Sequence, residues 1–483
     1  MIQRKSPHDM LTRLEVDGFK NLLGVVVDFG PFTCIAGPNG SGKSNLFDVI
    51  QFLSLLADHE IMQAAQLLRS ADGRSRDPRE LFWTDGVNRA DKLTFAAEML
   101  VPRVIQDDFG RAAEASTTFL RYELEFGYEG PSGMGNLGRL VLVREHLGYI
   151  RRGDAGAHLH WPHRKKEFRD NVVQGERRGS SFISTDVEDG TTTIKIHQDG
   201  GSRGQPRPAS AFSAPRTIVC TTTTASDPTI LAARREMQQW RLLALEPSAM
   251  RSPDAFAVYS TQPFVGANGS RLAATLYRQA YRDQGKGKAV SPEPTYARIA
   301  TKLARLVPAT AIRVDRDDRR ELLTLELQLG LKGPFFAARA LSDGTLRFLA
   351  LCILDNDPEV QGVLCMEEPE NGIHPERMQA MVEIVGGLAV DPNLPPGPDN
   401  PFRQVIVNTH SPVFVRLQKP ADLLFAKPVT IRGPRGGLAQ TLRLLPIKGT
   451  WRAEVDAQVS VQRGEILAYL TTPPGAQLGL EVE

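Results

Sequence analysis

Residues 37 to 44 read Gly-Pro-Asn-Gly-Ser-Gly-Lys-Ser, the spacing GxxxxGK[ST] of a loop that wraps a phosphate. Its chemistry needs small residues, because backbone N–H groups must turn inward around the β-phosphate where side chains would obstruct them. Lys43 would place a charge on the β- and γ-phosphates, and Ser44 a hydroxyl on Mg²⁺. Gly37, Pro38, Asn39, Gly40, Ser41 and Gly42 form the cradle, with Asn45 directly behind it.

Three later segments carry further reactive groups. Residues 363–370, Val-Leu-Cys-Met-Glu-Glu-Pro-Glu, put Glu367 and Glu368 at the C-terminal end of an apolar run, where open α/β sheets gather their ligand chemistry. One carboxylate there would hold the metal and the other would polarise an attacking water. The plainer alternative is a solvated pair at a strand end. Leu-Ser-Asp-Gly-Thr, 341–345, opens an amphipathic helical pattern. Ser342 is therefore either a helix N-cap or part of an anion site at that helix N-terminus. His410 follows the apolar run 405–407 one strand further on. It is either an ordinary exposed side chain or a sensor of the γ-phosphate from the neighbouring strand.

The elements that must position these groups are legible in the pattern. Short strands are expected at 11–16, 25–29 and 32–36, the last feeding the phosphate loop, and a helix at 45–56. Apolar or alternating runs at 93–100, 118–126 and 140–149 read as strands that extend the same sheet. The Gly-, Ser-, Thr- and Pro-rich stretch 186–216 reads as a mobile surface loop, and 228–307 as a helical insertion or lid with Trp240, Leu243, Leu272 and Leu276 buried. Strands at 311–314 and 322–329 return the chain to a helix at 346–354, and the prolines of 392–401 demand an exposed loop. The division is thus an α/β N-terminal lobe at 1–150, an insertion at 151–310 and a C-terminal lobe at 311–483. No repeat and no long heptad stretch is present.

Composition narrows the class. The 483 residues suffice for two or three domains' worth of core, with 41% hydrophobic and 24% charged residues. A net charge of +2 neither demands nor excludes nucleic acid. The four cysteines form no CxxC and sit in apolar runs, which favours reduced thiols and a cytoplasmic setting. No apolar run is long enough to span a membrane, and the N-terminus lacks the apolar stretch of a signal peptide.

Together these segments resemble the P-loop NTPases of ABC type, in the soluble RecF/SMC/OLD-like branch and its AAA_21 group. Phe19-Lys20-Asn21 is similar to that branch's N-terminal element, and 37–45 to its P-loop. Residues 341–345 are similar to its signature, 367–375 to its Walker B and D-loop, and 408–412 to its switch-histidine segment. The resemblance implies an ATPase head with ATP and Mg²⁺ as cofactors. Lys43, Glu368 and His410 would be catalytic and Ser44 and Glu367 would hold the metal. Residues 37–45, Lys20, Asn21, Ser342 and Gly344 would bind the nucleotide. It further implies a head-to-tail homodimer in which ATP on one P-loop is capped by Ser342 and Gly344 of the other copy, with the D-loop around Asn371 crossing the interface.

Two departures stand out. Glu367 occupies a position where many relatives carry Asp, and Asp343 adds a negative charge to the signature unless it turns away or pairs with a residue such as Arg347. No Q-loop glutamine is identified, since Gln51 lies too close to the P-loop helix. The implied role is a conformational change driven on a partner, in DNA repair or anti-phage defence, beside a separate nuclease or toxin. The tail beyond His410 is short for a nuclease domain and holds no acidic triplet resembling one. DNA is a candidate partner through Arg151-Arg152, His163-Arg164-Lys165-Lys166 and Arg177-Arg178. The rival readings are a transporter ATPase subunit, opposed by the long gap between P-loop and signature, and a slow ATP-gated scaffold.

Overall fold

The computed structural model describes residues 10–68, 77–131, 138–175, 179–188, 191–199, 205–211, 214–256, 264–282, 291–330, 332–432, 437–455 and 459–471. A six-stranded sheet runs in the order Arg241–Leu243, Gly362–Glu367, Arg403–Thr409, Phe32–Ala36, Leu423–Arg432, Leu438–Pro446. The first five strands are parallel and the last is antiparallel. Parallel strands covered on both faces are built around apolar runs. Every residue of Arg403–Thr409 is buried, its polar ends flanking the apolar 405–407, as are the first five of Gly362–Glu367. Register pairs Glu367 with Asn408 and Thr409 with Ala36, so the ends of three strands meet at one edge of the sheet.

An eight-stranded antiparallel sheet runs in the order Arg207–Ser210, Thr191–Ile196, Ile183–Glu188, Arg139–Tyr149, Phe119–Glu129, Lys92–Leu100, Met10–Asp17, Val25–Asp28. The strands expected at 93–100, 118–126 and 140–149 lie here and do not extend the parallel sheet. The reason is pairing: Phe32–Ala36 already has parallel partners along both edges and offers them none. Four phenylalanines join this sheet to the helix Lys43–Leu55 behind the P-loop. Phe52 of that helix lies 5.7 Å from Phe95 and 5.9 Å from Phe126, and Phe19 lies 5.7 Å from Phe95. Each such pair adds about 1 kcal/mol beyond area burial. Gln404 ties the two sheets by polar bonds: its Oε1 accepts from Leu11 N at 3.0 Å, and its Nε2 donates to Leu11 O at 2.7 Å.

Two further expectations need correction. Residues 186–216 are not a loop throughout, because 183–188, 191–196 and 207–210 complete the antiparallel sheet in register. Threonines suit strands as well as turns, and edge pairing decided between them. The insertion is not a separate helical lid either. Its helices Pro228–Met237, Leu272–Arg282 and Glu293–Leu303 are interrupted by Arg241–Leu243, which pairs with Gly362–Glu367 as the edge of the parallel sheet. Trp240, Leu243, Leu272 and Leu276 are buried as expected. Strands at Ala309–Asp317 and Leu322–Leu329 and a helix at Asp343–Asp355 follow, and 392–401 holds neither helix nor strand. All four cysteines are free and buried.

Glu145 is fully buried in the antiparallel sheet and caps the short helix Ile218–Thr221. Its carboxylate accepts from Ile218 N at 2.8 Å, Val219 N at 3.1 Å and Tyr122 OH at 2.9 Å. Burial outweighs these bonds and pushes its pKa up to about 7. The folded state therefore holds a proton that the unfolded chain has already released. Stability should fall as pH rises from the ordinary carboxyl value toward 7. Glu145→Gln should lose less melting temperature than the parent between about pH 5 and about pH 8 in thermal unfolding.

Candidate nucleotide site

The P-loop connects Phe32–Ala36 to the helix Lys43–Leu55, and its shape is fixed from outside by Asn21. Asn21 Nδ2 donates to Ser41 O at 3.2 Å, and Asn45 Nδ2 donates to Asn21 Oδ1 at 2.8 Å. Gly42 adopts φ +99°, and a Cβ there would sit 2.1 Å from Asn21 Nδ2, so this position admits only glycine. Lys20 Nζ lies 2.5 Å from Asp48 Oδ2, a fully buried carboxylate on the P-loop helix. Lys20 faces a neighbouring cleft and not the nucleotide cavity. Lys20 and Asn21, expected to bind the nucleotide, do not line the cavity and instead brace the P-loop.

A cavity of about 500 Å³ opens above the parallel sheet. Asn39, Gly40, Gly42, Lys43, Ser44 and Asn45 form one wall, and Glu367, Glu368 and Asn408 form the floor. Lys43 Nζ donates to Gly37 O and Pro38 O, each at 2.7 Å. Burial pulls its pKa down to about 8, against the opposing charges of Glu368, Glu370 and Glu367. Ser44 and Glu367 line the same cavity. Two hard oxygen donors are what Mg²⁺ takes from protein when phosphates and waters complete its shell. Among the described residues no cluster of His, Cys, Asp and Glu forms an all-protein metal cage.

Glu368 and His410 come together from adjacent strands. His410 Nδ1 lies 2.6 Å from Glu368 Oε1, and Asn371 Nδ2 donates to Glu368 Oε2 at 2.8 Å. Glu368 has φ +45°, a conformation that costs a non-glycine residue about 1 kcal/mol or more. Asn408 holds it there, accepting from Glu368 N through its backbone O at 3.1 Å and its Oδ1 at 3.2 Å.

Ser342 and Gly344 do not line this cavity. Ser342 caps the helix Asp343–Asp355, accepting from Thr345 N at 3.3 Å. A Cβ on Gly344 would meet Gly372 O at 2.4 Å, so the signature helix begins against the D-loop of its own chain. Asp343 does not pair with Arg347. Its Oδ1 lies 2.6 Å from Arg251 Nη2, which also donates to Leu341 O at 3.0 Å. Arg347 instead donates to Leu245 O at 3.0 Å and to Asn371 O at 2.5 Å, and it lines the cavity.

The wall formed by Leu243, Ala244, Leu245 and Glu246 was not foreseen. It runs on from the end of the short edge strand Arg241–Leu243 and brings Glu246 to the cavity. The run Leu242 to Leu245 ending in Glu-Pro was the available signal, masked by the helical pattern around it.

The match to a family described as "AAA domain, putative AbiEii toxin, Type IV TA system" covers residues 32–92 and 264–416, which hold the P-loop, signature, Glu367, Glu368 and His410. The chain is also 38% identical over 79 residues to Structural maintenance of chromosomes protein 1 of Arabidopsis thaliana. It is 33% identical over 67 residues to DNA replication and repair protein RecF of Acaryochloris marina. These matches support an ABC-type ATPase of the RecF/SMC branch. They span 16% and 14% of the chain, and only 6% and 18% of those relatives. A solved SmcHead bound to the C-winged helix domain of ScpA overlays 91% of the chain and 99% of its own, at TM-score 0.45 and 15% identity.

The bracing roles of Asn21 and Lys20 separate by experiment. Asn21→Ala removes two loop-shaping hydrogen bonds at about 1 kcal/mol each and should weaken fluorescent ATP-analogue binding about tenfold or more. Lys20→Ala removes the ion pair made by the buried Asp48 carboxylate and should cost about 3 kcal/mol in urea denaturation.

Proposed function

We propose that this chain binds ATP with Mg²⁺ and hydrolyses it in a head-to-tail homodimer that drives a conformational change on a partner. The observation that carries the reading is the 2.6 Å contact of His410 with Glu368 at the rim of the P-loop cavity. Glu368 would act as general base on water, His410 would orient it and sense the γ-phosphate, and Lys43 would stabilise phosphate charge. Ser44 and Glu367 would hold Mg²⁺, which supplies charge neutralisation at the β- and γ-phosphates. Ser342 and Gly344, which do not line their own chain's cavity, would serve the nucleotide of the second copy.

The setting we propose is cytoplasmic, in DNA repair or anti-phage defence, beside a separate nuclease or toxin. The RecF and SMC matches and the toxin-system description of the family support it. No helix among the described residues is long and apolar enough to cross a membrane. Arg151, Arg152, Arg164, Lys165 and Lys166 are exposed, which suits contact with a DNA phosphate backbone. Arg177 and Arg178 lie outside the described residues. A slow ATP-gated scaffold is the second reading, in which the Asp343 carboxylate beside Ser342 opposes closure on a phosphate despite its pairing with Arg251.

Glu368→Gln should cut steady-state ATP turnover by about a hundredfold or more while nucleotide binding persists. In light scattering the variant should accumulate as an ATP-loaded dimer. If it neither traps ATP nor changes oligomeric state, Glu368 is not the catalytic carboxylate. Very slow turnover in the parent with intact ATP-dependent assembly would select the scaffold. Duplex-DNA affinity should fall steeply with rising salt, and no binding at low salt would remove DNA as a partner.

A further inference from the structure

Glu370 is a carboxylate only 4% exposed, two positions beyond Glu368. Its Oε1 accepts a hydrogen bond from Thr409 Oγ1, and that hydroxyl in turn accepts from Ser411 N at 2.9 Å. Its Oε2 is buried with no hydrogen-bond partner. A half-satisfied buried carboxyl is a costly choice if shape alone were needed. Burial pushes its pKa above the ordinary carboxylate range.

What the side chain achieves is a closed circuit. Thr409 and Ser411 flank His410, and His410 Nδ1 meets Glu368 Oε1 at 2.6 Å. Covalent bonds run from Glu368 through Pro369 to Glu370, and from Thr409 to His410. Hydrogen bonds close the ring at Glu370–Thr409 and at His410–Glu368. Pro369 fixes one φ angle within it, and Asn408 pins the strained backbone of Glu368. Removing the Thr409 link would free the histidine turn to rotate about its strand end.

We propose that Glu370 is a positioning residue: through the Thr409 hydroxyl it locks the turn bearing His410, holding the imidazole on Glu368. Glu370 does not line the cavity beside the P-loop. This rests on the hydrolytic reading given above, in which Glu368 and His410 act together on water and γ-phosphate. Displacing a catalytic group by about 1 Å costs on the order of a hundredfold in rate, whereas ground-state nucleotide contacts on the P-loop are untouched.

The test is steady-state ATP turnover and nucleotide affinity of the full chain with Mg²⁺ in Glu370→Ala, Glu370→Gln, Thr409→Val and Thr409→Ser. Glu370→Ala and Thr409→Val should lose about ten- to a hundredfold in kcat with little change in KM for ATP. Glu370→Gln keeps an acceptor and Thr409→Ser keeps the hydroxyl, so both should recover most of the turnover. Parent-like kcat in Thr409→Val, with Glu368→Gln inactive, overturns this inference and leaves the hydrolytic reading standing. Unchanged turnover in Glu368→Gln overturns that reading and this inference with it. If Glu370→Ala melts below the assay temperature, the Thr409 pair decides: equal rates in Thr409→Val and Thr409→Ser overturn the proposal.

Discussion

The pairing of Phe32–Ala36 between Arg403–Thr409 and Leu423–Arg432 is the constraint from which the rest of the site follows. Parallel strands bring their C-terminal ends to one edge, so register alone places the P-loop, Glu367 and His410 beside one another. The same strands are buried on both faces, which demands cover from helices on each side. The helix Lys43–Leu55 fills one of these roles and is locked to the antiparallel sheet by Phe19, Phe52, Phe95 and Phe126. A loop that must hold backbone N–H groups inward is thereby anchored at both ends. Asn21 and the Lys20–Asp48 pair complete the brace from the turn between the strands Met10–Asp17 and Val25–Asp28.

Around this fixed edge, two arginines connect parts that are distant in sequence. Arg347, on the signature helix, bonds the carbonyls of Leu245 and Asn371 and so ties that helix to the cavity wall and to the D-loop. Arg251, from the segment after that wall, neutralises Asp343 and holds Leu341 O. Both sides of Ser342 are therefore held by one guanidinium. The Arg251–Asp343 pair is partly exposed and worth at most about 1 kcal/mol to stability. Its consequence is local: a carboxylate that would repel phosphate at the helix N-terminus is balanced in place. A segment that reads as an insertion thus forms part of the nucleotide site and of the signature's surroundings.

Much of this was legible in advance where one residue type admits few alternatives. The strand, glycine loop and helix of the P-loop follow from local pattern, and Phe32–Ala36 and Leu322–Leu329 fall where alternation places them. Glu367 and Glu368 end a buried strand because an apolar run can only stop where charge reaches water. Ser342 is the N-cap that the amphipathic helical pattern after it suggested. Local reading failed where two conformations suit the same residues. Threonine- and glycine-rich 186–216 could turn or extend, and only neighbouring strands supplied the hydrogen bonds that made its strands. Arg241–Leu243 sits in a helical pattern, yet the unpaired edge of Gly362–Glu367 drew it into the sheet.

The sequence by itself determined the chemistry: a phosphate loop with its lysine and serine, two carboxylates at a strand end and a histidine one strand on. Those identities depend on nearest neighbours in the chain, which is what sequence spacing records. Only the tertiary structure decided which groups meet. It set His410 on Glu368, turned Lys20 to Asp48 and gave Asp343 to Arg251 in place of Arg347. It also buried Glu370 beneath Thr409. These pairings depend on strand register and on the desolvation of charges brought together across long separations, and neither is written in any one segment.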